Sequence, residues 1–177
     1  MFTALVIVGI VVVLLAAFLG YAATKPDAFR VQRAATIKAP PAKIFALIND
    51  FHSWTSWSPW DKIDPDMKRT YSGAPNGKGT VYEWEGNKQV GKGRMEITDT
   101  SPPSKVIIKL DFFKPFEAHN TATFALEAQG DSTNVRWIMD GKQPFMFKVM
   151  STFVDMDKMI GKDFEAGLAN MKSIAEA

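Results

Sequence analysis

Residues able to do chemistry are few and scattered in this chain. Cysteine is absent and histidine occurs twice, as His52 and His119. Neither stands in an HxxxH or HxH spacing, so no metal or other cofactor site is expected. No GxSxG-type nucleophile motif occurs. Gly77-Lys78-Gly79-Thr80 has the composition of a phosphate loop, but it precedes a strand pattern, whereas such a loop must open a helix. His52 sits beside a tryptophan-rich turn and His119 precedes Asn120 within a strand pattern, so both read as surface or loop residues. Acid–base catalysis needs a carboxylate or imidazole held inside a pocket. Strand alternation turns Glu83 and Glu85 away from Tyr82 and Trp84, and Lys109 and Asp111 away from Phe112. The inward polar groups that remain are Asn120 and the hydroxyls of Tyr71 and Tyr82. A few polar groups among many apolar ones suit the orientation of an apolar ligand better than a reaction.

Two periodicities must position these groups. Ala39-Pro40-Pro41 opens a short helix in which Ile44, Phe45, Leu47 and Ile48 recur at helical spacing to about Asn49. Trp54, Trp57 and Trp60 recur every third residue, which puts them near one face of a tight helical turn. From residue 67 onward the period is two. Strands are predicted near 67–72, 80–85, 90–98, 106–112, 116–128 and 135–139, after a first strand over 30–37, and the alternation calls for an antiparallel sheet with one buried face. A single long helix is predicted over 148–176, with Phe153, Met156, Ile160, Phe164, Gly167, Leu168, Met171 and Ile174 on one stripe. The pattern predicts an α+β, two-layer domain with a curved sheet of about seven strands around that helix. The expected lining of the space between them is Trp54, Trp57 and Trp60 from the turn. The strands add Tyr82, Trp84, Met95, Phe112, Asn120, Phe124, Trp137 and Met139, and the helix adds Phe153, Met156 and Ile160.

The amino-terminal end has another character. All 21 Lys and Arg and all 19 Asp and Glu lie from Lys25 onward. Residues 1–24 match the roughly 20 apolar residues that cross a bilayer as a helix. A cleaved signal remains open, because Gly20-Tyr21-Ala22 is a passable cleavage site, although no basic n-region precedes the apolar run. Residues 25–29 read as a linker and 30–177 as one domain, large enough for a core without disulfides. Lys25, Arg30, Arg33, Lys38 and Lys43 follow the span, so the positive-inside rule places the domain in the cytoplasm. A net charge of +2 gives no footing for nucleic acid.

Several motifs together carry a resemblance. They are Ala39-Pro40-Pro41-Ala42-Lys43-Ile44-Phe45, then Phe51…Trp54…Trp57-Ser58-Pro59-Trp60, then Tyr71-Ser72-Gly73…Gly77-Lys78-Gly79-Thr80-Val81-Tyr82-Glu83-Trp84-Glu85-Gly86-Asn87. Gly91-Lys92-Gly93…Met95-Glu96-Ile97 and Asp163-Phe164-Glu165-Ala166-Gly167-Leu168-Ala169-Asn170-Met171-Lys172 complete the set. From about Arg30 to Ala177 the chain resembles the polyketide cyclase/dehydrase-like branch of the SRPBCC superfamily, with its START-like helix-grip fold. The resemblance implies a hydrophobic cavity between sheet and helix, and a lipid, polyketide or other apolar ligand. The resulting expectation is a single-pass membrane protein whose domain binds a hydrophobic small molecule or lipid beside its bilayer. Two rivals stand beside it: a cyclase- or dehydratase-like enzyme, and a ligand-free interaction module of a membrane complex. The tryptophan turn is expected either to cap the cavity or to dip into the headgroup layer.

Overall fold

The computed structural model describes residues 2–177, so Met1, the first residue of the expected span, lies outside the described residues. Helix α1 covers Phe2–Ala23. Its 22 residues reach about 33 Å at 1.5 Å each, long and apolar enough to cross a bilayer. Residues 2–17 are exposed, whereas near its base Phe18 is partly covered and Ala22 is buried. Strand β1 (Ala28–Ile37) begins within the expected linker. Helix α2 (Pro41–Asn49) starts on Pro41, where a missing N–H is harmless, and buries Ile44, Phe45 and Ile48.

A 3-10 turn at Phe51–Ser53 follows, with the Asp50 carboxylate accepting from the His52 N–H. Two one-turn helices come next, α3 (Trp54–Trp57) and α4 (Trp60–Ile63). Six strands complete the sheet: β2 (Lys68–Gly73), β3 (Thr80–Glu85), β4 (Lys92–Ser101), β5 (Lys105–Lys114), β6 (Ala118–Gln129) and β7 (Ser132–Lys142). Every pairing is antiparallel, in the order β1-β7-β6-β5-β4-β3-β2. The β4–β5 ladder is irregular twice, with Phe113 extra on β5 opposite Lys92/Gly93 and Thr98 extra on β4 between Ile97 and Asp99, and such extra residues bend the strands and curve the sheet.

The single long helix expected over 148–176 is in fact two helices. Helix α5 (Phe145–Met150) stops where the Ser151 and Thr152 hydroxyls donate to the carbonyls of Lys148 and Val149. Helix α6 (Met156–Ala175) starts afresh at Asp155, whose carboxylate accepts from the Lys158 N–H. Phe153 sits in helical register with Met156 and Ile160, so the apolar stripe concealed the break.

Helix α6 lies on the concave face of the sheet. At Gly167 a Cβ would come within 2.8 Å of the Trp137 ring and 3.4 Å of Pro59, so glycine permits the close approach. Trp137 and Phe164 then stack with centroids 4.1 Å apart and planes 5° from parallel. Arg33 of β1 ties the start of α6 to the sheet, bonding Glu165 Oε1 at 2.7 Å and Asp157 Oδ2 at 2.9 Å.

Candidate functional site

Strand register sorts the concave face into rows that run across the sheet. One row is Phe124 and Trp137, followed by Arg33. Here the space is full. Trp54, Trp57 and Trp60 reach down from α3 and α4 onto Phe124 and Trp137, with centroids 5.5 to 6.3 Å apart. Two of the indoles are locked by carbonyls, Trp54 Nε1 donating to Ile48 at 2.9 Å and Trp57 Nε1 to Leu47 at 3.0 Å. Asn170 of α6 donates to the Trp57 carbonyl at 2.9 Å and pins the turn from the other side. Trp57 is 0% exposed. Trp54 and Trp57 are therefore interior packing, with Trp60 half-buried at their edge, and the hollow implied by the resemblance is closed at this level.

Another row, nearer the base of α1, runs Tyr71–Tyr82–Met95–Leu110–Asn120–Gly141–Phe29 through all seven strands. Phe29, Leu110 and, one step further out, Phe112 are only partly buried although they point inward. The concave face is thus sealed over one half and less completely covered over the other. Asn120 (7% exposed) and Tyr82 (6%) are buried within this less covered half. Asn120 Oδ1 and Tyr82 Oη are buried without a hydrogen bond of good geometry in the protein, although the Arg69 guanidinium stands close enough to Tyr82 to act on its hydroxyl; Trp137 Nε1, two rows deeper, Thr80 Oγ1 and Asn49 Oδ1 are likewise unpaired. Such groups cost about 1–3 kcal/mol each when left unpaired, which a polar partner inside the domain would offset. Glycine at 141 makes the niche: a Cβ there would collide with Asn120 Oδ1 and the Phe29 ring.

Charged groups stand at the β2 edge of this row. Arg69 Nε bonds Asp61 Oδ1 at 2.8 Å, and both side chains are largely buried. Burial raises the Tyr82 hydroxyl far above the ordinary tyrosine value, helped by the nearby Asp61 carboxylate, while Arg69 pulls the other way. Tyr82 is therefore a neutral donor and acceptor at physiological pH. His52 stacks on Tyr71 at 4.1 Å and its Nδ1 lies 2.9 Å from Asp50 Oδ1. On the outer face, Asp111 is buried despite its outward register, covered by ion pairs to Lys109 and His119.

The expected lining residues thus part company. Tyr82, Met95 and Asn120 share the less covered row, and Trp84 meets Phe112 edge-on at 5.7 Å beside it. Met139 lies one row deeper, opposite Ala122. Trp54, Trp57, Trp60, Phe124 and Trp137 form the packed aromatic block. Met156 and Ile160 begin α6 and are half-buried. Phe153 is a correction: it sits in the α5–α6 connection, 78% exposed, and touches Phe18 of α1 instead of the interior. Sequence reasoning overlooked Arg69 and Arg33, which alternation already placed inward beside Tyr71 and Val31. It also overlooked Asp61, which comes from α4 and carries no strand signal. Two open surface pockets are present. One, of about 550 Å³, lies between Lys25 and Phe153, and the other, of about 530 Å³, is lined by outward Arg30, Lys109, Thr121 and Asp140 together with Phe29, Asn120 and Gly141 of the row just described.

A family model described as polyketide cyclase / dehydrase and lipid transport matches residues 28–176. No curated protein matches the chain by sequence. Among solved structures, protein CV1439 of Chromobacterium violaceum is similar at 12% identity over 86% of this chain and 99% of its own, with a TM-score of 0.60. Ara h 8.0201 is similar at 14% identity over 82% and 99%, with a TM-score of 0.55. DynU16, from the dynemicin biosynthetic locus, is similar at 12% identity over 86% of this chain and 48% of its own, with a TM-score of 0.58. At these identities the structures speak for the fold, a seven-stranded antiparallel sheet gripping a carboxy-terminal helix. With that fold in hand and the sequence match running from the first strand to the end of α6, the chain belongs to the polyketide cyclase / dehydrase and lipid transport family.

Proposed function

We propose that the protein is a membrane-anchored binding domain for a hydrophobic small molecule or lipid, held in the less covered half of the concave face. The observation that carries this reading is the unpartnered pair of buried polar atoms, Asn120 Oδ1 and Tyr82 Oη, on one row among apolar side chains. A ligand with a polar head and an apolar body satisfies both kinds of wall at once. The family description, which includes lipid transport, supports the same ligand class. Helix α1 supplies the anchor, with the basic residues after it setting the domain on the cytoplasmic side. Binding is favoured over catalysis because Asp61 is tied to Arg69 and the Tyr82 hydroxyl stays protonated, which leaves no free base on the row.

The test is extraction of the full-length protein from membranes, followed by mass spectrometry of its organic extract. A specific apolar species enriched over that of an unrelated single-pass protein is expected. An extract indistinguishable from that control would sink the proposal.

A further inference from the structure

Outside α1, every exposed large apolar side chain among the described residues except Ile63 lies at one end of the molecule. These residues occupy the end of β5 and the β5–β6 turn (Phe113, Phe116), α5 (Phe145, Met146) and the stretch from Met150 through Phe153 to Met159. Phe116 and Phe147 meet edge-on with centroids 6.2 Å apart, which joins the turn to α5. Single exposed apolar residues need no explanation, but a contiguous set marks a contact surface.

The position of this surface relative to α1 is held by polar contacts. Lys25 Nζ donates to the Ser151 carbonyl at 2.7 Å, and the Gln143 N–H donates to the Asp27 carbonyl at 2.7 Å. Gln143 Nε2 donates to Ser151 Oγ at 3.0 Å, and Lys148 pairs with Asp27. The segment after α1 is thus a joint and not a loose tether. Beyond it, Phe153 packs on Phe18 with ring centroids 5.5 Å apart. Phe18 precedes the helix end at Ala23 by five residues, a depth of about 7 Å along the axis. Interfacial helices bury their apolar faces about 5–10 Å into the headgroup and acyl boundary.

We propose that α5, the α5–α6 connection and the β5–β6 turn form a second, in-plane contact with the bilayer that α1 crosses, so that the domain lies on the leaflet. The proposal rests on α1 being a membrane span, because Phe153 then shares the depth of Phe18. Exposed Lys114 and Lys142 flank the patch, where they meet lipid phosphates. The partly exposed Phe29, Leu110 and Phe112 open towards this same end, so an apolar ligand passes between leaflet and concave face with little exposure to water.

The absence of cysteine allows single thiols to be introduced in the full-length chain. Leu14→Cys, Phe116→Cys, Met146→Cys and Asp131→Cys proteins are reconstituted into phosphatidylcholine/phosphatidylglycerol vesicles and treated with a membrane-impermeant maleimide. Phe116, Met146 and Asp131 are all exposed in the protein, so the protein itself does not shield them. Thiols held in lipid are expected to react at least about tenfold more slowly than the one at 131, because apolar surroundings suppress the thiolate. Slow reaction at 14, 116 and 146 supports the proposal. Slow reaction at 14 with fast reaction at 116 and 146 overturns it while leaving the span intact. Fast reaction at all four positions overturns the span and the docking together.

Discussion

Asn120→Leu separates a binding role from an ordinary core role. The two side chains have the same branching and the same number of heavy atoms, so the exchange converts the unpaired Oδ1 and the Nδ2 amide group into methyl groups. Relief of a buried, unpaired Oδ1 is worth about 1–3 kcal/mol. Added apolar burial contributes up to about 2 kcal/mol. Against this stands crowding, because Oδ1 already fills the space that a Cβ on Gly141 would take, and overpacking costs about 1–3 kcal/mol. At mid-range values the balance is a ligand-free domain about 1 kcal/mol more stable than the parent, where an average substitution loses about 1 kcal/mol. A gain of that size moves the melting temperature up by roughly 2–4 °C for a domain of this length. Ligand retention should fall roughly three- to tenfold, the equivalent of one ordinary hydrogen bond. The assay compares circular-dichroism melting of delipidated full-length protein in detergent with mass spectrometry of the ligand retained before delipidation. A clear fall in melting temperature would mean that Oδ1 is satisfied in the native state. Unchanged ligand content would mean that the carboxamide takes no part in binding. Either result refutes the reasoning.

Two further predictions concern stability. Phe164→Ala removes the ring stacked on Trp137 under α6 and is expected to cost about 3–5 kcal/mol in urea unfolding, with Phe164→Leu costing less; a loss below about 1 kcal/mol would show that the helix is held elsewhere. The hydrogen bond that the His119 ring donates to the Asp111 carboxylate raises the His119 pKa above its ordinary value. Burial of Asp111 pushes its carboxyl up, but the bonds from His119 and Lys109 outweigh it and leave it low. The His119 contribution is complete below about pH 6.5 and is lost as pH rises through the raised folded value; the Asp111 contribution is present above about pH 3.9 and is lost as pH falls through the lowered one. Stability should therefore decline as pH rises above about 6.5, and His119→Gln should flatten that decline. An NMR titration midpoint for His119 at or below 6.5 contradicts this account.

Much of the architecture is legible along the chain because it is local. Alternation at Tyr82 and Trp84, or at Met95 and Ile97, reports the face of a strand without knowledge of its neighbours. Proline at 41 and the spacing of Ile44, Phe45 and Ile48 mark α2 in the same way. The uncharged run over 2–23 is a property of composition alone. The misreadings arose where a local signal had two meanings. Phe153 keeps the helical register of α6 but belongs to the connection before it, because the Ser151 and Thr152 hydroxyls and the Asp155 cap end one helix and start another. Trp54, Trp57 and Trp60 suit a membrane surface or a core equally well by type, and their neighbours settle Trp54 and Trp57 as core with Trp60 at its edge.

The sequence by itself determined the sheet, the apolar first helix and the inward set from which any site must be drawn. Only the tertiary structure decided which of those inward residues fill space and which leave it open. Tyr82, Met95, Leu110 and Asn120 come from four strands and become one row only through their pairing register. Trp137 and Phe164 close the other half only because Gly167 lets α6 approach the sheet. Periodicity is written within a single segment, whereas packing is a relation between segments distant in sequence, and an unpaired Asn120 Oδ1 exists only once those segments have met.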